Sequence, residues 1–166
     1  DIRKDVLYCD EKNSEKRKSC IIVLNIILES LIKWFAPILS FTTEEIFILI
    51  NKNKKSIHLE KFIEFPKSFE NKKINIKWTE LKKIRDICNI SIEAKRVKKE
   101  IGSSLETNLI INLNEKLFNI IENIDFSELC ITSGAKIVKT KFEEISVVTT
   151  KAEGEKCSVC WKINKN

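Results

Sequence analysis

The sequence predicts a mainly α fold: a helical bundle, then a small α/β unit, then a polar tail that carries a CxxC motif. Three observations carry this. Apolar residues recur at helical spacing over 21–35, 43–51 and 78–101. After Gly102 the period falls to two, with Leu109, Ile111 and Leu113 alternating against Asn108, Ile110 and Asn112. From Lys151 onward the apolar pattern stops, and Cys157-Ser158-Val159-Cys160 stands in a charged surrounding.

In chain order, residues 1–10 are short and amphipathic, with Val6, Leu7 and Tyr8 as the apolar part. Asn13 or Ser14 can cap a long helix from about residue 14 to 35. Ile21, Leu24, Leu28, Leu31, Ile32 and Phe35 form its stripe, and Ile22, Val23, Ile26 and Ile27 widen it. That breadth predicts burial on more than one side. Pro37 lacks a backbone donor and disfavours the α region for Ala36, so the helix should stop or kink there. Thr42 precedes Glu45 by three, a capping-box spacing for a second helix over 43–51. A basic loop, NKNKKS, and an aromatic-rich linker with Phe62, Phe65 and Phe69 follow. A third helix is expected over 78–101, with Trp78, Leu81, Ile84, Cys88, Ile92, Val97 and Ile101 as its apolar positions and Gly102 as its C-terminal cap. Beyond it lie a strand through Leu109–Leu113, a short helix over 115–124, and strands over 129–132 and 146–150. The domain boundaries follow: 1–102 helical, 103–150 α/β, 151–166 tail.

The balance of 30 basic and 24 acidic residues gives a net charge of +6. That permits a polyanionic partner such as RNA without requiring one. No apolar run is long enough to span a membrane, and DIRKDVLYCD has no secretory h-region. The cysteines at 9, 20, 88 and 130 sit singly in apolar stripes, which reads as a reducing, cytosolic chain. Met is absent even at position 1, so the chain reads as a fragment at both ends.

Two stretches can carry chemistry. Cys157 and Cys160 can clasp one Zn²⁺ from a tight turn, at Zn–S of about 2.3 Å, but a structural site needs four ligands. The alternatives are a redox CxxC, for which the polar tail lacks the βαβ setting, and two inert thiols. Trp161 is either packing for a metal knuckle or a stacking platform worth ~1–3 kcal/mol per base. The second stretch is the third helix, where Arg85, Lys95, Arg96, Lys98 and Lys99 stand among Asp86, Glu93 and Glu100. Such a run is usually a solvated face. It also has the form of a phosphate-tracking surface, each contact adding ~0.7–0.9 to the salt slope. Arg17, Lys18 and Lys33 extend it if the helices pack side by side. No catalytic constellation is present, because the single His lacks a nucleophile and there is no Gly-rich phosphate loop. The residues alone describe a binding module.

An ordered set of strings goes further: KDVLYCD at 4–10, APILSFTTEEIF at 36–47, SIHLEKF at 56–62, EAKRVKKEIGSSLE at 93–106, TSG at 132–134 and KAEGEKCSVCW at 151–161. Together they resemble the C-terminal part of the bacterial isoleucyl-tRNA synthetases, a class I aminoacyl-tRNA synthetase family. The IGSSLE and KCSVCW strings point to that family rather than to its valyl and leucyl relatives. The resemblance implies an anticodon-binding helical bundle to about Gly102, a junction domain, and the first half of a zinc-binding module completed by a second CxxC. It implies a cytoplasmic monomer whose partner is the anticodon stem-loop of tRNA(Ile). The whole enzyme attaches isoleucine using ATP and Mg²⁺. HIGH- and KMSKS-type motifs and an editing domain are absent here, so this chain alone should neither activate nor edit. The other reading is a free-standing helical RNA-binding or protein-docking module.

Overall fold

The structure, a computed structural model, describes residues 2–52, 55–121 and 123–165. Asn53 and Lys54 of the expected basic loop lie outside the described residues. The chain divides into two compact units, Val6–Glu70 and Asn71–Asn166 joined by Asp1–Asp5.

The short helix α1 (Lys4–Tyr8) buries Val6, the residue at which the first unit begins. The long helix α2 (Glu15–Phe35) begins at Ser14, whose hydroxyl accepts from the Arg17 amide at 3.1 Å. This is the cap the sequence offered. The expected burial on several sides does not occur: Ile21, Leu24, Leu28 and Leu31 are 38–45% exposed. Only Ser30 and Ile32 are buried, because α2's partners within the unit are one helix, α3 (Ser40–Ile50), and a short 3-10 turn, Ile57–Leu59. Ile32, Ala36, Phe47 and Ile57 form that small core.

The corner between the helices also departs from expectation. Ala36 stays in the α region (φ −52°, ψ −41°) despite Pro37. The amides of Ile38 and Leu39 both bond to the Phe35 carbonyl, at 2.9 and 2.7 Å, and the chain turns at Leu39. Helix α3 therefore starts before Thr42, and the Thr42–Glu45 box does not cap it. Thr43 instead donates its hydroxyl to the Leu39 carbonyl at 2.9 Å. Glu44 holds the linker, accepting from the Ser56 hydroxyl at 3.0 Å and the Ile57 amide at 2.8 Å.

In the second unit, α4 (Lys72–Val97) begins earlier than its apolar stripe suggests. Asn71 caps it, accepting from the Ile74 amide at 3.2 Å. Leu81, Ile84, Cys88 and Ile92 make one helical stripe. That stripe shares a single core with Ile101 and with Leu109, Ile111 and Leu113 of β1 (Thr107–Asn114). The two compact units meet between Glu70 and Asn71, and the inward face of α4 lies on the sheet. The expected Gly102 cap is also replaced: α4 ends at Val97, and Lys99 takes the left-handed position at φ +58°.

The sheet has order β2-β1-β3, with β2 (Gly134–Thr140) parallel to β1 and β3 (Ser146–Lys151) antiparallel. Ile111 pairs with Ile137 on one side and Val147 on the other. The β1–β2 connection carries α5 (Glu115–Ile120) and α6 (Phe126–Cys130), as a parallel crossover requires. The strand expected over 129–132 is α6 and its end. Asp125 accepts from the Ser127 amide at 2.8 Å to start the helix, and Ile131 closes it at φ +57°. The tail folds as a two-stranded hairpin, β4 (Glu155–Lys156) with β5 (Ile163–Asn164).

Candidate nucleic-acid interface

The sequence-expected cations fall into three physical classes. Arg85 is half-buried, and its Nε donates to the Leu129 carbonyl at 3.0 Å. It fastens α6 to α4, so its guanidinium is partly committed to the fold. Lys95 and Arg96 lie in the last turn of α4, where the helix dipole favours positive charge. Each is paired: Lys95 Nζ with Glu100 at 2.6 Å and Arg96 with Glu93 at 2.5 Å. The hydrogen bond from Lys95 holds the Glu100 carboxyl below its ordinary range. Lys98 and Lys99 are exposed, and among the described residues neither has an ion-pair partner.

The backbone sets this arrangement. The Lys99 amide bonds to the Arg96 carbonyl at 2.9 Å and the Glu100 amide to the Lys95 carbonyl at 3.1 Å, while Lys99 itself turns left-handed. Four cations therefore crowd one helix end, two in ion pairs and two outside them among the described residues, with Lys98 in the field of Glu100. Arg85 lies about ten residues back from Lys95 along α4, or ~15 Å along the axis.

The second locus is the hairpin around Cys157 and Cys160. The Cys157 amide bonds to the Lys162 carbonyl at 2.8 Å, and the Trp161 amide returns to the Cys157 carbonyl at 3.0 Å. Gly154 sits at φ +132°, where an added Cβ would come within 2.2 Å of the Asn164 carbonyl oxygen. The backbone amides of Cys160 and Val159 hold the Cys157 thiol below its ordinary range. A sulfur surrounded by amide donors favours the thiolate, the form that ligates metal. The pair thus fits two of the four donors of a tetrahedral thiolate site. Among the described residues no group of three or more His, Cys, Asp or Glu could hold a metal ion.

Trp161 is half-exposed at φ +66°. Lys4 Nζ stands 4.0 Å from its ring centroid and Lys156 Nζ 5.6 Å. Lys162 pairs with Asp5 at 3.0 Å; burial alone would lower its pKa, but the Asp5 carboxylate outweighs that and raises it. These contacts with residues 4 and 5 were not legible in the sequence, although Lys4 and Asp5 stand in the KDVLYCD string. Among the described residues no hydrogen bond or ion pair joins the knuckle to Lys95–Lys99. The site residues expected from sequence therefore form two separate loci within one unit.

Cys88 and Cys130 are core residues. The hydrogen bond to Cys130, and then burial, push the Cys88 thiol up, so it stays protonated. Among the described residues no helix is long and apolar enough to cross a membrane.

Residues 1–111 match the family model described as the anticodon-binding domain of tRNA ligase. The chain is 70% identical over 165 residues to an isoleucine–tRNA ligase of Pelagibacter ubique, covering 99% of this chain and 18% of that protein. It is 35% identical to the isoleucine–tRNA ligases of Agrobacterium fabrum and Bartonella henselae, over 98% and 100% of this chain and again 18% of each relative. The chain thus spans less than a fifth of the length of these curated relatives. By the family match over residues 1–111, it belongs to the anticodon-binding domain family of tRNA ligases.

Proposed function

We propose that the chain holds the anticodon end of tRNA(Ile) for an isoleucine–tRNA ligase, in the cytoplasm and as a monomer. Other parts of that enzyme would attach isoleucine using ATP and Mg²⁺. On this reading residues 1–102 are the anticodon-binding helices, 103–150 a junction and 151–166 the start of a zinc-binding module. Cys157 and Cys160 would supply two thiolates to Zn²⁺.

The observation that carries the reading is the pair of exposed lysines, Lys98 and Lys99, that have no ion pair among the described residues, at a helix end inside the family-matched residues. Phosphates approaching this end meet two free ammonium groups first. Lys95 and Arg96 engage only by exchanging Glu100 and Glu93 for phosphate oxygen. Arg85 supports the helix from its α6 side. Trp161 offers a ring for an unstacked base, the usual way single-stranded RNA loops are read.

The test is binding of an RNA hairpin carrying the isoleucine anticodon, titrated with KCl. Replacing Lys95, Arg96 and Lys98 by Ala and Lys99 by Gly should weaken binding and flatten the salt dependence. Unchanged affinity and slope would mean that this helix end is only a solvated surface.

A further inference from the structure

The Ser133 hydroxyl sits where three distant segments meet. Its oxygen accepts from the Ile163 amide at 2.7 Å, and its proton goes to the Leu105 carbonyl. Ile163 opens β5, the strand that closes the knuckle just after Trp161. Leu105 lies in the 3-10 turn Ser104–Glu106, within the IGSSLE string.

Both supports are rigid. The Ser133 amide donates to the Thr107 carbonyl at 3.0 Å, which fixes its backbone at the start of β1. The turn is closed by the Thr107 hydroxyl on the Ser104 carbonyl at 2.7 Å and by Glu106 accepting from the Gly102 amide at 3.0 Å. The Ala152 amide adds a bond to the Glu106 carbonyl at 2.7 Å. The hairpin has little else of this kind. Among the described residues, Ser133 makes the one hydrogen bond from β4 or β5 to the sheet unit's core segments. The hairpin's side chains also reach Lys4 and Asp5, and Lys162 lies in the field of the Asp125 carboxylate.

We propose that Ser133 is a positioning residue, whose hydroxyl sets the placement of the CxxC knuckle and of Trp161 against the sheet. A hydroxyl can donate to a carbonyl and accept from an amide at the same time, and an alanine can do neither. This rests on the reading of Trp161 as an RNA contact and says what holds that ring in place. Without the pin, the knuckle keeps its own β4–β5 pairing but loses its fixed placement.

The test uses the chain with Trp34 and Trp78 changed to Phe, so that Trp161 alone emits. In Ser133→Ala the Ile163 amide should exchange about tenfold faster, as expected for loss of one net hydrogen bond. The Ile111 amide, in the sheet, should be unchanged. Acrylamide quenching of Trp161 should rise, and affinity for the anticodon hairpin should fall about two- to tenfold with its salt slope intact, since no cation is lost. Ser133→Thr, which keeps the hydroxyl, should restore all of these, and Ser133→Cys should fall between. Unchanged Ile163 exchange in Ser133→Ala overturns the pin. Faster exchange with unchanged hairpin affinity overturns its link to RNA contact. A parent chain that binds no hairpin overturns the RNA reading itself, and the Ile163 exchange rates separate that failure from failure of the pin.

Discussion

The two classes of cation at the end of α4 predict unequal effects from substitutions of equal charge. In one variant Lys98→Ala is combined with Lys99→Gly, and in the other Lys95→Ala with Arg96→Ala. Each pair removes two positive charges. Lys98 and Lys99 have no carboxylate partner among the described residues, so each phosphate they meet releases a counterion outright. At ~0.7 per contact on single-stranded RNA, their loss should flatten the log K against log[salt] slope by ~1.4. Over a fourfold rise in salt that slope corresponds to about a sevenfold change in affinity. Lys95 and Arg96 are already neutralised at 2.6 and 2.5 Å by Glu100 and Glu93. Their removal should change the slope by less, while the two released carboxylates repel the RNA and lower affinity at every salt concentration. The assay is fluorescence anisotropy of a labelled anticodon hairpin from 50 to 200 mM KCl. Equal slope changes in the two variants would refute the division into free and compensated cations.

Further predictions concern stability and pH. Lys99→Gly should stabilise the second unit by ~0.5–1 kcal/mol in urea melts, because a lysine at φ +58° carries a left-handed penalty that glycine lacks. At Asp125, burial alone would raise the carboxyl, but the Ser127 hydroxyl and the Ser127 and Glu128 amides outweigh it and hold it low. A depressed folded-state pKa contributes stability above the unfolded value and loses it as pH falls through ~4 and below. Asp125→Asn should therefore remove that acid sensitivity, and Asp125→Ala should cost about 1 kcal/mol at pH 7. Glu44→Ala should cost the first unit about 1–3 kcal/mol, read by Trp34 fluorescence, since it strands the Ile57 amide and the Ser56 hydroxyl. Ile84→Ala, fully buried under the sheet, should cost the second unit about 2–5 kcal/mol.

Local signals in the sequence translated well where a single side chain settles the matter. Ser14 caps α2, Leu109–Leu113 alternate as a strand, and Leu81 to Ile92 form one buried stripe. Signals failed where two local preferences competed. The Thr42–Glu45 spacing lost to an earlier start at Ser40, and Gly102 was preempted as a cap by Lys99. Residues 129–132 are β-branched at their end, yet Asp125 capping draws Leu129 and Cys130 into a helix that Ile131 ends. Strand β2 escaped notice because Lys136 and Lys139 interrupt its apolar pattern. The largest miss was long-range: nothing local in α4 says that its stripe packs on a strand over twenty residues onward.

For the candidate site, the cation run and the CxxC were visible as composition and spacing. Their energetic sorting was not. Whether Lys95 is neutralised and Lys98 is free depends on how the chain turns after Val97. The Lys4–Trp161 contact spans more than a hundred residues, Lys156 reaches Trp161 across the hairpin, and the Ser133–Ile163 link joins residues 30 apart.

The central claim is that this surface reads the anticodon end of a tRNA rather than any polyanion. Competition between a hairpin carrying the isoleucine anticodon and one with a scrambled loop on the same stem tests it directly. The isoleucine hairpin should win by about tenfold or more at 150 mM salt, the discrimination that a few loop-base contacts supply. Equal affinity for the two hairpins, falling with salt at the same slope, would contradict it.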